Sequence, residues 1–181
     1  YNKVAMTDHN EVAMTNYNEV AMASYNKVAM TNYNEVAMTS SNKVAMTDHN
    51  KVAMAYFNEV AMTSYNKVAM ADNNKVAMTD HNEVAMTDNN KVAMVNSNKV
   101  EAGENNIIAG RKKNVVSVFG KSVVVVENGS KVKGKKGSLI VFYERDDTQD
   151  IVSYQAVIID GIKIIEDTWY CMVEGKIVEV K

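Results

Sequence analysis

The stretch NKVAMTDHNEVAMTNYNEVAM, residues 2 to 22, carries the plan of most of this 181-residue chain. Counted from Asn2 in steps of eight, Asn returns at Asn10, Asn18, Asn26 and onward to Asn98, with Val two positions later and, as far as Met94, Met four positions later. A period of eight decides between helix and strand. On a helix of about 3.6 residues per turn, successive repeats would rotate their Val and Met by roughly 80° and leave no lasting apolar stripe. On a strand, side chains alternate, so Asn2, Val4 and Met6 share one side while Lys3, Ala5 and Thr7 share the other. The core ladder is then Asn10, Val12, Met14, Asn26, Val28, Met30 and their equivalents, with charge, Ala and Thr outward. Pairs such as Asp8-His9, Asn16-Tyr17 and Ser40-Ser41 supply the turns, because Asn, Asp and Ser are good turn formers. One strand of about five residues cannot bury its own Val and Met, so the units must stack and face each other. The expectation is an all-β fold, a thin two-sided β-solenoid.

The variable positions say how many units make a coil. Every sixteenth residue along one turn edge reads Tyr1, Tyr17, Tyr33, His49, Tyr65, His81, and along the other His9, Tyr25, Ser41, Phe57, Asn73, Asn89. The position before the turn is Thr15, Thr31, Thr47, Thr63, Thr79 on one face, but Thr7, Ala23, Thr39, Ala55, Ala71, Thr87 on the other. Alternate units therefore share a character that adjacent ones lack, which favours 16 residues per coil from two 8-residue units. Like side chains would stack at the strand spacing of about 4.7 to 4.9 Å. The count continues in disguise through Asn106, Asn114, Ser122 and Ser130, with inward pairs Ile108/Gly110, Val116/Val118, Val124/Val126 and Val132/Gly134. Residues 1 to 137 thus read as a solenoid of 17 units from Asn2 to Gly137, a rod on the order of 40 Å long at about 4.8 Å per coil. Replacement of Met by Val, Ala and Gly implies a core that narrows toward its end.

From Ser138 the period is expected to break. LIVFYE (139 to 144), IVSYQAVII (151 to 159), IKIIE (162 to 166), TWYCMV (168 to 173) and KIVEV (176 to 180) are strand-like, with Asp160-Gly161 the stronger and Glu174-Gly175 the weaker hairpin signal. Residues 138 to 181 read as a small β-rich capping domain over the last coil edge. Tyr1 opens in mid-repeat and the first coil has no equivalent cover, which predicts further upstream sequence or self-association through the N-terminal coil edge.

Composition narrows the function classes. The net charge of −2 argues against a chain devoted wholly to nucleic acid, zero prolines suit a backbone needed in ladders, and the single Cys171 cannot form an intrachain disulfide. No window approaches the roughly 18 to 20 apolar residues of a helical span, so no membrane insertion is expected. The charge is unevenly spread: −4 over residues 1 to 110, +7 over 111 to 136 and −5 over 137 to 181.

The strand core N-K-V-A-M-T is similar to the N-S-V-A-I-G strands of trimeric autotransporter adhesin heads, with Lys or Glu for Ser, Met for Ile and Thr for Gly. More of the chain resembles bacterial and phage proteins of uncharacterised activity with eight-residue β-solenoid repeats followed by a small C-terminal domain. The matching stretches are SKVKGKKGSLIVFYERDD (130 to 147), AVIIDGIKI and DTWYCMVEGKIVEV. That resemblance implies the fold and a bacterial or phage origin; for location, the sequence itself names no compartment, and an extracellular or virion surface is the expectation.

Several residue sets are candidate sites. His9, His49 and His81 each follow an Asp, but a metal ion needs several ligands about 2 Å away while His49 and His81 should lie two coils, roughly 9.5 Å, apart. Glu144, Arg145, Asp146, Asp147 and Asp150 cluster after an apolar strand without a nucleophile-base pairing or a Ca²⁺-loop spacing, and read as a solvated turn. The Tyr/His edge (Tyr1, Tyr17, Tyr33, His49, Tyr65, His81) is a candidate binding stripe. The basic belt (Arg111, Lys112, Lys113, Lys121, Lys131, Lys133, Lys135 and Lys136) is a candidate for a cell-surface glycan, nucleic acid or other polyanion. Thr15 to Thr79 form a hydroxyl and methyl array that raises ice binding, countered by one Thr per strand and a charge on every strand. No cofactor is called for. The reading is a non-enzymatic structural or display rod, with a binding module as the alternative.

Overall fold

The computed structural model describes residues 1–180, and they are all-β with no helix. The strands recur at eight-residue steps: β1 (Asn2–Met6), β2 (Glu11–Met14), β3 (Asn18–Met22), β4 (Lys27–Met30), β5 (Glu35–Met38), β6 (Lys43–Met46) and β7 (Lys51–Met54). They continue as β8 (Glu59–Met62), β9 (Lys67–Met70), β10 (Lys75–Met78), β11 (Glu83–Met86), β12 (Lys91–Met94), β13 (Lys99–Ala102) and β14 (Ile107–Gly110). The last are β15 (Val115–Val118), β16 (Val123–Glu127), β17 (Lys131–Lys133), β18 (Leu139–Arg145), β19 (Ile151–Ile158), β20 (Trp169–Val173) and β21 (Lys176–Val180).

Odd-numbered strands from β1 to β17 form one parallel sheet and even-numbered strands from β2 to β18 form the other. Each residue pairs with the one sixteen positions on, as in Val36↔Val52 and Val44↔Val60. This is the two-sided solenoid of 16-residue coils. Val and Met enter the space between the sheets, where Val52 is 3% and Met54 4% exposed, while Lys or Glu and Ala face out because strand side chains alternate.

Asn holds the register from within. The backbone N–H and side-chain amide of Asn42 both donate to Asn58 Oδ1, at 3.0 and 3.1 Å, and the same amide donates to the Ala23 carbonyl at 2.8 Å. Asn42 Oδ1 in turn accepts from the backbone and side chain of Asn26 at 2.9 and 3.2 Å. Every polar atom of that buried amide is thus engaged, as burial requires. The core ladder is placed as the period implies: Asn26, Val28 and Met30 are buried, while Asn10, Val12 and Met14 are half-buried because they belong to the first coil.

The repeat outlasts its expected end. β18 pairs in parallel with β16 in the same register, Val123↔Leu139 to Glu127↔Tyr143, and Ser122 N–H faces Ser138 Oγ at 3.4 Å as the Asn ladder would. Ser138 is therefore the ladder residue of an eighteenth unit rather than a break. Beyond it the strands turn antiparallel: β19 adds to β18, and β20 adds to β17 and pairs with β21. The strand expected at 162 to 166 does not form, nor does a hairpin at Asp160-Gly161. The Asp160 carboxylate instead accepts the N–H groups of Ile162, Lys163 and Ile164 at 2.8, 2.8 and 3.1 Å, closing a local loop that takes those donors away from a ladder. The weaker signal is the one that makes a hairpin: Glu174 and Gly175, at φ 49° and 71°, join β20 to β21, the backbone that two-residue hairpin turns require.

Candidate functional site

The aromatic edge is a column of flat rings. Tyr17, Tyr33, His49, Tyr65 and His81 stack in that order with centroids 5.1, 5.0, 5.2 and 5.0 Å apart. Tyr1 stands outside the column; its hydroxyl donates to Glu19, a geometry open to it on the first coil. The backbone creates the column, because the residue closing each turn adopts the left-handed conformation, with φ of 60° at Tyr17 and His49 and 61° at Tyr65. L-residues pay roughly 1–2 kcal/mol there, and stacking worth about 0.5–1.5 kcal/mol per ring pair offsets much of it. The opposite edge has only the His9–Tyr25 stack at 5.1 Å, after which Ser41, Phe57, Asn73, Asn89 and Asn105 hold the same left-handed position. Tyr65 sits between His49 and His81 and His9 lies on the other edge, so the three imidazoles never converge. Among the described residues no His, Cys, Asp and Glu cluster could hold a metal ion.

A second ladder runs along the turns. Asp48 Oδ1 accepts the Ser64 N–H at 2.7 Å and the Thr63 hydroxyl; Asn16 and Asn32 repeat the pattern with Asn32 and Thr31, and with Asp48 and Thr47. These hydroxyl and N–H donors hold the Asp48 carboxyl below its ordinary range, and the Thr87 hydroxyl and Asp88 N–H do the same for Asp72. The Thr hydroxyls at 31, 47 and 63 are thereby spent on the turn beside them rather than offered outward in an ice-like array. In the polar cluster after β18 the Asp146 carboxylate is engaged locally: Asp146 Oδ1 accepts from Thr148 N–H, Thr148 Oγ1 and Asp150 N–H at 2.9, 2.7 and 3.0 Å.

The basic belt is not one surface. Lys113 closes the turn edge that carries the ring column, whereas Lys121 lies on the opposite edge with Lys135 and Lys136 one coil on, and Lys131 and Lys133 face out from β17. Arg111 Nε and Lys112 Nζ both approach the buried Glu127 carboxylate at 3.4 Å, Lys133 sits 5.0 Å over the Trp169 ring, and Lys135 pairs with Asp167. The backbone N–H of Lys136 meets Glu166 at 3.3 Å. Half of the belt is thus engaged with the chain's own acids and ring, and the rest is divided between two edges and one face. The period itself carried this information, since 113 and 121 fall on opposite edges of a 16-residue coil. Missed altogether was Glu127, covered by Arg111 and Lys112; Asp and Asn were read as turn formers but not as acceptors for the next coil, a role whose signal was their recurrence at Asn16, Asn32 and Asp48 and at Asp72 and Asp88.

The two outer faces complete the surface. Each carries a column of Lys and Glu beside an unbroken column of Ala, from Ala5 to Ala85 on the odd-strand sheet and from Ala13 to Ala93 on the even-strand sheet, so an apolar trough runs along each. Ion pairs rung the columns, among them Lys3–Glu19 at 3.0 Å, Lys51–Glu35 at 2.8 Å and Lys67–Glu83 at 3.3 Å. This periodic architecture places the chain in the class of β-solenoid proteins. No family model, curated protein sequence or solved structure matches it.

Proposed function

We propose that this chain is a non-enzymatic structural rod whose work is to set a length and present its faces, in keeping with a bacterial or phage surface appendage. The observation that carries this reading is the amide ladder: from Asn18 to Asn82 each buried Asn sends a backbone and a side-chain bond to the next coil, as Asn34 and Asn50 do, and makes each of these coils a copy of its neighbour. A structure of that kind extends by addition of equivalent coils, since each coil contacts only the coils beside it. The antiparallel strands β19, β20 and β21 serve as its C-terminal cap, ending parallel growth where β17 and β18 would otherwise offer open edges. At the other end β1 and β2 each have one strand partner among the described residues, and they offer an in-register edge to a further coil or to another chain.

The test is to excise one coil, residues 50 to 65. A rod shortens by about 4.8 Å, read by small-angle scattering, and keeps its cooperative melt. Loss of the fold on removing one interior coil would contradict a body built of equivalent units. A second reading, a binding module, is favoured by one observation, the half-exposed ring column from Tyr17 to His81. It requires that replacing Tyr33 and Tyr65 by Asn abolish retention on a glycan array while leaving rod length unchanged.

A further inference from the structure

Lys99 follows Glu83 on the next coil, and over the six coils before it the outer charge column of the odd-strand sheet reads Lys3, Glu19, Glu35, Lys51, Lys67, Glu83. In signs this is + − − + + −, a series that is its own inverse when reversed. We propose that this face is an isologous homodimer interface, on which a second copy of the chain packs with its rod axis reversed about a two-fold axis lying between Glu35 and Lys51. A two-fold axis parallel to the strands brings the charge column of one copy over that of the other and reverses coil order. Lys3 then meets the partner's Glu83, Glu19 meets the partner's Lys67, and Glu35 meets the partner's Lys51. Two-fold symmetry demands this reciprocity of a self-complementary patch.

The intrachain pairs fit the same arrangement. Lys3–Glu19 and Lys67–Glu83 are already closed at 3.0 and 3.3 Å within one chain. Reversal lays each of these pairs against the inverted pair of the partner, giving a four-charge ring of alternating sign. The Glu35–Lys51 pair, at 2.8 Å, does so with its own symmetry copy. The even-strand face lacks the property: Glu11, Lys27, Lys43, Glu59, Lys75 and Lys91 carry two more positive than negative charges, and the same operation sets Lys27 against Lys75.

The rest of the face is suited to contact. Ala5, Ala21, Ala37, Ala53, Ala69 and Ala85 form a smooth floor, and the next column carries Ala23, Ala55 and Ala71 where the other sheet has Thr31, Thr63 and Thr79. Apolar troughs flank the Ala column on both sides, with room for Lys and Glu stems to lie along them. Six coils at about 4.8 Å and an outer face some 20 Å across, from Asn2 to Thr7 and their equivalents, offer about 600 Å² per partner, or about 1,200 Å² in all, at the lower end of the range of specific interfaces.

The experiment is analytical ultracentrifugation of the full chain with paired charge swaps. Wild type is expected at twice the 20.1 kDa of the chain. The double variant Lys3→Glu/Glu19→Lys keeps its intrachain pair and net charge but sets like charges against the partner's Glu83 and Lys67, so the dimer weakens by at least roughly 100-fold. Lys67→Glu/Glu83→Lys does the same. Mixing the two doubles restores every contact and yields a heterodimer, and the four substitutions combined in one chain restore the homodimer. Circular dichroism on each variant separates loss of association from loss of fold. A monomeric wild type at high protein concentration overturns the proposal, as does a dimer indifferent to either swap or a mixture that fails to associate. Contact through the β1 and β2 edge would leave the Lys67→Glu/Glu83→Lys dimer intact, which is also an overturning result.

Discussion

The coils from Met6 to Met94 and those from Val100 to Phe142 share one backbone and differ in what fills them. The first set is packed with Val and Met that remain 3% to 5% exposed over most of its length, as at Val52 and Met78; in the second, Val100, Ile108, Val124, Ile140 and Phe142 are wholly buried. The Asn ladder changes over the same interval, from Asn106 N–H to Ser122 Oγ at 3.2 Å and from Asn114 N–H to Ser130 Oγ at 3.1 Å. Register survives both changes, since β16 and β18 pair at the same sixteen-residue offset as β1 and β3. The difference teaches that the coil is defined by its inward hydrogen-bonding residue and its turn, and that the apolar residues fill whatever width these leave. At Gly110 the width is taken by a neighbour, since a Cβ there would come within 2.9 Å of Met94 Cε.

That contrast can be broken most severely through the core. Phe142→Ala removes the largest fully buried side chain of the C-terminal coils and is expected to cost about 3–5 kcal/mol, against about 2–3 kcal/mol for Met54→Ala, because flexible Met neighbours collapse more readily into the gap. Urea denaturation measures both; equal losses would mean that the two halves are packed alike. Next in size is the ladder. Asn58→Ala removes the acceptor of the Asn42 N–H and of one of the two bonds of the Asn42 side-chain amide and should cost about 1–3 kcal/mol, whereas Ser122→Ala removes the acceptor of the Asn106 N–H and a long bond to the Gly103 carbonyl and should cost nearer 1 kcal/mol. If the two matched, the second Asn bond would be without weight.

Much of this was legible in the chain, for physical reasons that can be named. The period excluded a helix and put Val28 and Met30 inside, and the alternation of Tyr17 and Tyr33 with Tyr25 and Ser41 gave two edges. What the sequence obscured was competition between local and distant partners. Asp160-Gly161 has hairpin chemistry, yet the Asp160 carboxylate satisfies three following N–H groups first, and those donors hold its pKa below the usual carboxylate range. Ser138 continues the ladder as Ser122 and Ser130 do, because a hydroxyl also accepts the N–H of the preceding coil, but the LIVFYE run that follows reads equally well as an ordinary strand outside the repeat. The belt misled because eight cations close in sequence were read as close in space, although the coil sends Lys113 and Lys121 to opposite edges.

Smaller effects separate the two turn edges. Phe57 occupies a left-handed turn position between Ser41 and Asn73 with no ring to stack on, while Tyr65 stacks on two. Phe57→Asn should therefore raise stability by about 1 kcal/mol, and Tyr65→Asn should be close to neutral because lost stacking offsets relieved strain; thermal melts of the two variants decide. The smallest effect is on acidification. Asp48 has a folded pKa below its unfolded value, so its stabilising contribution is complete above the unfolded pKa of about 4 and is lost as pH falls through the folded pKa. Asp48→Asn, the residue already serving at Asn32, should flatten the part of the melting curve's pH dependence below about pH 4, and an unchanged acid limb would show that this turn carboxylate carries none of it.

The central claim is the sixteen-residue coil, and a distance across several coils tests it most directly. Nitroxide labels at Lys27→Cys and Lys91→Cys, in a chain with Cys171→Ser, lie on one face four coils apart. Pulsed electron resonance should give a narrow distribution near about 19 Å between label backbones. A distribution near about 38 Å, the value for eight coils of eight residues each, would contradict the account.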